Sequence, residues 1–575
     1  MAALFTTPKR NDTTAGTHVA EPDVRRRIGL AHGSWRRVTR RIVAGAVCAF
    51  TVSSLLMPSV SLAAEWVKVG GNKYNTAASD EAGTWSWDGA DDLKLNNYNG
   101  GEIQAAGKLN VNYSGTNIVT AEWIESINVS HGTNENAELN IQGNEGGTLS
   151  VTSTEDAILS TGNINIDGAG SVNATSTGFD AINAGGDLAI KGSGNVNATG
   201  ASDGIRANGN ITIDDSGAVT ARATKDKGIG VDKNLTIKGG GTVEASSEKD
   251  AAVEAKGSLA ATNASLNVNG VEYGVYAHEG ITLDHANVTV RAGKGRYGDA
   301  IALFTYQDDI VVKNGSTVDA FAEGEVSAAF STRNDRPNEK GGHIYISDSV
   351  VKAIARYVEN GDGPIPYSEN QDGETRREPQ GENIGIIAQT SEGVTPAVIS
   401  IIRSKVTAEG DTAAIFARAI SADGKTIGTI KIENAAIQTP EGGKVIDYRK
   451  LRDGIYEAGQ AIGTGDATVD SLYIKAVAKS TTIAPPEVAK PEDPKPDETK
   501  PAESKPAESK PAESKQNPKP EGSKPTKAVA ASITKAKTTG VLAATGDTSG
   551  AAIVATVLAG TAAIAAGTMA SRKRS

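Results

Sequence analysis

The sequence predicts an all-β fold, a parallel β-helix with three short strands in each coil and about 11 coils. Three observations predict it. Apolar-x-apolar triplets return every 22 to 25 residues from Leu139 to Ile281. Each repeat holds three runs of period-2 alternation separated by turns rich in Gly, Asn and Asp, which favours strands over helices. The composition, with 4% aromatic residues and 65 glycines, suits a thin core of Val, Ile and Ala.

Strands this short cannot bury their apolar faces alone, so each must pair with its counterpart in the next coil. A leucine-rich repeat is the alternative at this period, but its helical half and its asparagine pattern are missing. The β-helix is predicted to occupy residues 139–480. Its first strands contain, in order, Leu139, Ile164, Leu188, Ile211, Leu235, Leu259, Ile281, Ile310 and Ile344, and two further coils begin near Val398 and Ile430.

Residues 1–63 are predicted to be a signal peptide with a long leader. Four arginines precede an apolar stretch, and small residues at Ser61 and Ala63 place cleavage after Ala63, with cleavage after Ala64 as the alternative. The only cysteine of the sequence, Cys48, lies within this segment. The secreted chain would therefore contain neither a disulfide nor a thiol nucleophile.

Residues 64–138 are predicted to form an N-terminal cap and the first coils. Three of the five tryptophans, Trp66, Trp85 and Trp87, lie here. The open end of a solenoid is an unpaired sheet edge that needs a cover, so an aromatic cap is the simpler interpretation. An aromatic site that stacks on sugars is the alternative.

The composition changes abruptly after the last strands. Residues 485–540 are rich in Pro, Lys and Glu, a low-complexity composition that cannot form a core, so we predict a disordered spacer. The segment 542–575 follows, with an apolar stretch at 551–570 that is long enough to span a bilayer and a basic end.

This ending resembles a Gram-positive sortase sorting signal. The resemblance implies transient membrane insertion of the C-terminal segment, cleavage by sortase between Thr545 and Gly546, and a covalent bond from the Thr545 carboxyl group to peptidoglycan. The implied location is the cell wall of a Gram-positive bacterium. Ala543 stands where the usual motif has proline, which leaves the class of sortase open. The motif consists of Leu542, Ala543, Ala544, Thr545 and Gly546.

From Ile281 onward the repeat acquires longer loops, and loops on a rigid scaffold often carry function. If the first apolar residue of each third strand points inward, the next one points outward. Aromatic residues then line the outer face, where they could pack on sugar rings while polar loop groups bind hydroxyls. The alternative is that the loops merely bury them. The candidate carbohydrate-binding residues are Tyr276, Phe330, Phe416, Tyr306, Tyr357 and Tyr367.

Aspartates precede the third strands of three consecutive coils, at Asp156, Asp180 and Asp203. Two interpretations compete. Each carboxylate could cap its own turn by accepting backbone N–H groups. Alternatively, these three residues could hold a calcium ion, which prefers oxygen ligands. The ladder breaks at Lys227 and Tyr273, which favours capping.

The pattern Asp-Gly-Ile-x-Ala-x-Gly-x-Ile-x-Ile, clearest from Asp203 to Ile213, resembles secreted carbohydrate-binding proteins with the pectin-lyase-like fold. The resemblance implies binding of a polysaccharide or host glycan, in adhesion or polysaccharide capture. A protein-binding or structural adhesin without sugar specificity is the second hypothesis, and a polysaccharide lyase is the third. We predict no catalytic residue and no enzyme, because the Gly-His-Gly and Arg-Ile-Lys motifs of pectin hydrolases are absent. The net charge of −11 argues against nucleic acid.

Overall fold

The computed structural model describes residues 63–486, apart from 122–126, 131–136, 294, 296–297, 337–340, 359–381, 392, 422–423, 453–454, 465–467 and 470–475. These residues form a parallel β-helix, as predicted, in which three long sheets run along the solenoid. No helix that could cross a membrane occurs among them. The predicted leader, nearly all of the predicted spacer and the sorting signal lie outside the described residues.

The described residues build twelve complete coils, each giving one strand to each sheet. Sheet 1 contains Ala78–Ser79, Trp85–Trp87, Asp92–Asn96, Lys108–Ser114, Glu138–Gly143, Asn163–Gly168, Leu188–Lys191, Ile211–Asp214, Leu235–Lys238, Leu259–Thr262, Ile281–Asp284, Ile310–Lys313, Ile344–Ser347, Val398–Ile402 and Thr429–Glu433. Sheet 2 contains Asn99–Gly100, Thr116–Ala121, Thr148–Ser153, Ser171–Ser176, Val196–Gly200, Ala218–Ala223, Thr242–Ser247, Ser265–Gly270, Asn287–Ala292, Thr317–Gly324, Val350–Tyr357, Lys405–Gly410, Ser480–Ala484 and Ala436–Thr439. Sheet 3 contains Val67–Val69, Asn72–Tyr74, Ile103–Ala106, Ile127–Ser130, Ile158–Ser160, Ile182–Ala184, Ile205–Ala207, Ile229–Val231, Val253–Ala255, Tyr273–Ala277, Asp299–Thr305, Val326–Asn334, Asn383–Thr390, Ala413–Ser421, Ile455–Gly463, Lys444–Arg452 and Thr468–Val469.

Equivalent residues of successive coils pair in register, so each apolar position forms a column along the core. Leu139 pairs with Ile164, which pairs with Leu188. Side chains alternate along each strand, and the inward ones are almost completely buried. Stacking equivalent positions is what allows strands of two to nine residues to share one continuous core.

The corner between sheets 1 and 2 is a tight turn in which one residue takes a positive φ. Asp215, Asn263 and Asn314 have φ values of 47°, 49° and 57°. Asn and Asp tolerate this left-handed conformation better than other residues with a side chain. The turn therefore favours Asp or Asn at this position, and glycine takes it in the coils of Gly192 and Gly239.

A second corner, which precedes sheet 1, is held by side chains that reach from coil to coil. The Oδ1 atom of Asn163 accepts the backbone N–H of Asp187 at 2.8 Å, and the Oδ1 atom of Asp187 accepts that of Asn210 at 2.6 Å. Asn210 and Asn234 continue the series to Ser258. The solenoid thus contains an asparagine-type ladder after all, although the sequence was not expected to have one.

Antiparallel strands close both ends of the solenoid. Val67–Val69 covers the start of sheet 3 by pairing with Ile103–Ala106, and Trp85 and Trp87 are buried at 7% and 2% exposure. At the other end, Ser480–Ala484 pairs antiparallel with the last long strand of sheet 2. Because these tryptophans pack in the core, they are not available to stack on a sugar.

Candidate functional site

The outer face of sheet 3 carries a second apolar cluster, separate from the main core. One of its rows runs in register through Tyr276, Phe304, Ser331, Ile387 and Phe416. We call it the outer cluster. Its buried members are Ile301, Phe304, Ala328, Ile384, Ile387, Ala413, Phe416, Ile446, Tyr448, Ala461 and Val477.

The N-terminal end of the outer cluster is aromatic and partly exposed. Tyr276 stacks on the ring of His278 at 4.6 Å between centroids and contacts the ring of Phe304 at 5.1 Å. Tyr273 stacks on the ring of Phe304 at 5.5 Å between centroids, and Tyr306 packs against the outer cluster. Phe304 is buried, whereas the other four rings keep part of their surface open. We call these five residues the aromatic patch.

Tyr273 and Tyr276 remain uncharged over the physiological range. Burial, reinforced by the nearby carboxylate of Glu254, raises the pKa of Tyr276 to about 12. Burial also raises the pKa of Tyr273. The patch therefore offers neutral ring faces together with hydroxyl groups that can both donate and accept hydrogen bonds.

The prediction that Phe330 points outward is wrong. Phe330 is completely buried in the main core, and so is Ala329 before it. Phe330 pairs in register with Leu303 and Ile386, so it occupies the inward column of the third strands, and the small residue before it is buried as Ala181 and Ala252 are in other coils. Leu303 holds the core position predicted for Ile301, and Ile301 joins the outer cluster.

The other predicted aromatic residues are not brought together. Phe416 does point outward, but the edge of Tyr448 covers its ring at 5.3 Å and it has no exposed surface. Tyr357 lies at the end of a sheet 2 strand, where its backbone N–H donates to Asp411 at 2.6 Å. Tyr367 lies outside the described residues. Of the predicted set, Tyr276 and Tyr306 alone belong to the aromatic patch.

The predicted aspartate ladder holds coils together. The Oδ1 atom of Asp156 accepts the backbone N–H of Asp180 at 2.9 Å, and that of Asp180 accepts the N–H of Asp203 at 2.8 Å. Asp203 in turn accepts the N–H of Lys227 at 2.8 Å. Each carboxylate therefore caps the next coil, whereas the sequence predicted that it would cap its own turn.

The geometry of this ladder does not favour calcium. The remaining oxygens of Asp156 and Asp180 accept the side-chain amide of Asn183 at 3.0 Å each, and that of Asp203 accepts Arg206 at 3.3 Å. Donors thus already occupy the positions that a cation would need. In the part of the chain that the structure describes, the group of three possible metal-ligating side chains whose ligand atoms all lie within 4.8 Å of one another is Asp88, Asp91 and Asp92.

Stability should depend on pH through Asp203. Burial raises the pKa of this carboxyl group from 3.8 to about 6. The folded state holds the proton more tightly than the unfolded chain, so the stabilisation present below about pH 4 is lost as the pH rises to about 6. Relative to Asp203→Asn, which does not titrate, the wild-type free energy of unfolding should rise by about 2–3 kcal/mol between pH 7 and pH 4 in urea titrations.

Asp203→Ala is the matched control, because it removes both the charge and the acceptor for the Lys227 N–H. It should be less stable than Asp203→Asn by about 1–3 kcal/mol at both pH values. If the difference in unfolding free energy between the wild type and Asp203→Asn does not change with pH, the pH dependence does not come from Asp203.

A buried ion network lies at the C-terminal end of the outer cluster. The Nη1 atom of Arg418 bonds both carboxylate oxygens of Glu382, at 2.9 and 3.1 Å, and lies 3.8 Å from Glu457. Its Nε atom donates to Gln389 at 2.7 Å. These charged side chains are 1–5% exposed, so the network is closed to a large ligand and supports the fold of the last coils.

The sequence did not reveal Tyr273, His278 and Phe304 as members of the patch, or the Arg418 network. The signal for Phe304 was its place at the repeat position of Tyr276, with which it pairs. No local motif marks the network, because Glu382, Arg418 and Glu457 are 36 or more residues apart in sequence.

The predicted signal cleavage site falls at the start of the described residues. Ala63 pairs with Lys108, and Ala64 is buried in the core. Cleavage after Ala63 would therefore keep Ala64 in its packing position. The predicted sorting residues 542–546 lie outside the described residues.

No protein family, curated protein or solved structure matches this chain.

Proposed function

We propose that this chain is a secreted surface protein whose β-helix binds carbohydrate through the aromatic patch on the outer face of sheet 3. The observation that carries the proposal is the group of partly exposed rings around Phe304. Aromatic faces match the apolar faces of sugar rings, and polar groups beside them fix orientation. The rigid sheet beneath holds the rings in place before a ligand arrives, which limits the entropy lost on binding.

The termini extend this proposal to a location. A signal peptide at 1–63, a spacer at 485–540 and a sorting signal at 542–575 would place the solenoid outside the cell, joined by sortase to peptidoglycan through Thr545. The spacer would lift the β-helix away from the wall. The protein would then act in adhesion or in capture of a polysaccharide.

The test is binding of the purified protein to a panel of plant, microbial and host polysaccharides, with calcium and with a chelator. We expect retention that survives the chelator, because the aspartate ladder is filled by protein donors. The variant Tyr276→Ala/Tyr306→Ala should bind at least about tenfold more weakly, the scale of loss typical of aromatic anchors. Tyr345→Ala is the control, since Tyr345 is 36% exposed on sheet 1.

Each other result points elsewhere. Equal binding by the patch variant and the control would remove the patch from the proposal. Absence of binding to every polysaccharide would favour a protein-directed adhesin. Unsaturated products released from uronate polymers would indicate a lyase.

A further inference from the structure

A notch opens in the outer face of sheet 3 two coils before the aromatic patch. The outward row here runs through Arg206, Gly230, Glu254 and Tyr276, and these residues pair in register. Gly230 is the member without a side chain. A shallow cleft of about 90 Å³ lies above it, which is smaller than an enclosed ligand pocket and suits a ligand that lies along the surface.

Charged side chains of both signs wall the notch. Lys256 bonds Asp232 at 2.7 Å, and Arg206 lies 3.9 Å from the same aspartate. Lys227 bonds Asp226 and lies 3.6 Å from Asp250 and 3.5 Å from Glu254. Arg206 also bonds Asp203, whose carboxylate lies 3.0 Å from where a Cβ atom of residue 230 would be. A side chain at position 230 would therefore enter the cleft and crowd its floor.

The cations of the notch are already paired, and this defines the ligand class. Arg206 is paired with Asp203 and Asp232, Lys227 with Asp226, Asp250 and Glu254, and Lys256 with Asp232. A free anion would have to displace one of these carboxylates, and a free cation would have to displace one of the basic side chains. A sugar hydroxyl avoids this problem, because it can accept from the cation and donate to the carboxylate of one pair at the same time.

The spacing connects the notch to the patch. Neighbouring strands of a sheet lie about 4.8 Å apart, so Gly230 and Tyr276, two coils apart, are separated by about 10 Å. The rise of one coil is close to the advance of one sugar along an extended glycan. A chain of three sugars along the solenoid axis would thus reach from the notch, past Glu254, to the ring of Tyr276.

We propose that the notch around Gly230 is a second sugar subsite, and that an uncharged glycan lies along the solenoid axis with about one sugar per coil from Gly230 to Tyr276. This inference rests on the proposed function, since the aromatic patch is taken as the first subsite. It adds the direction of the ligand, its minimum length and its lack of charge.

The experiment measures the affinity of the purified protein for cello-, xylo-, manno- and chito-oligosaccharides from two to six sugars long. For the series that binds, wild-type affinity should rise with length up to about three sugars. Asp232→Ala/Lys256→Ala should bind the tetrasaccharide about tenfold more weakly and the disaccharide unchanged. Asp214→Ala/Lys238→Ala is the matched control, since it removes an ion pair of 2.9 Å with similar exposure on sheet 1.

Two results would overturn the inference while leaving the proposed function intact. In the first, the Asp232→Ala/Lys256→Ala variant binds oligosaccharides of every length as tightly as the wild type does, while Tyr276→Ala binds them more weakly. In the second, the Asp232→Ala/Lys256→Ala variant loses affinity equally for the disaccharide and the tetrasaccharide, which would show that the substitutions disturb the whole outer face of sheet 3. If wild-type protein binds neither these oligosaccharides nor any polysaccharide, the proposed function and the inference fail together.

Discussion

Replacing Arg418 with methionine is expected to destabilise the C-terminal coils by about 3–5 kcal/mol, because it leaves two carboxylates buried without their cation. Glu382 bonds Arg418 at 2.9 Å and Glu457 lies 3.8 Å from it, and both side chains are 5% exposed. Water cannot replace the lost partner at such burial. The guanidinium group also faces the ring of Phe416 at 5.8 Å, and methionine can keep part of that packing.

The loss should remain local, since the stability of a solenoid is approximately a sum of terms between neighbouring coils. Hydrogen exchange should show faster opening of the strands Asn383–Thr390, Ala413–Ser421 and Ile455–Gly463, with the coils near Leu139 unchanged. Urea unfolding followed by circular dichroism measures the free energy.

The triple variant Arg418→Met/Glu382→Gln/Glu457→Gln is the control for this prediction. Removing all three charges together should recover most of the stability, because the cost comes from unpaired charge and not from loss of the network as such. If the triple variant is as unstable as Arg418→Met, the destabilisation arises from packing, and the electrostatic explanation is wrong.

Phe330→Ala is expected to lower the free energy of unfolding by about 3–5 kcal/mol, the usual cost of emptying a buried phenylalanine site. Phe330 pairs in the sheet with Leu303 and Ile386, and all three side chains belong to the main core. The rigid sheets on either side limit how far the cavity can collapse. Phe330→Leu keeps much of the volume and should cost less.

The same variant separates the core from the binding face. Folded Phe330→Ala protein should bind polysaccharide like the wild type, whereas Tyr276→Ala should bind more weakly at nearly unchanged stability. Urea midpoints and binding isotherms on the two variants test this contrast. Weakened binding by Phe330→Ala at a temperature where it is fully folded would return Phe330 to the candidate site.

The repeat was predictable because the strand register of a parallel β-helix requires similar residues at equivalent positions of successive coils. Leu139, Ile164 and Leu188 recur at one spacing since they must stack in one column. The apolar third-strand positions such as Ile182 and Ile205 were equally visible. Stacking of like residues in neighbouring coils gives the sequence a periodic pattern, and this pattern predicts the fold class.

The site was less predictable because it depends on departures from the repeat. Period-2 alternation predicted an outward Phe330, but the strand register places it in the inward column with Leu303 and Ile386. The exposure of Phe416 could not be inferred either, since Tyr448 and Ala461 cover it from a hairpin beyond the last coil. Local spacing carries no information about such contacts.

The sequence alone therefore established the solenoid, its three strands per coil and the aspartate before the third strand of three consecutive coils. Tertiary structure decided which aromatic rings stay open, that each aspartate caps the following coil, and that Arg418, Glu382 and Glu457 meet. The physical reason is distance along the chain. Core columns repeat within one coil length, whereas the patch, the notch and the ion network arise where side chains of different coils and loops converge.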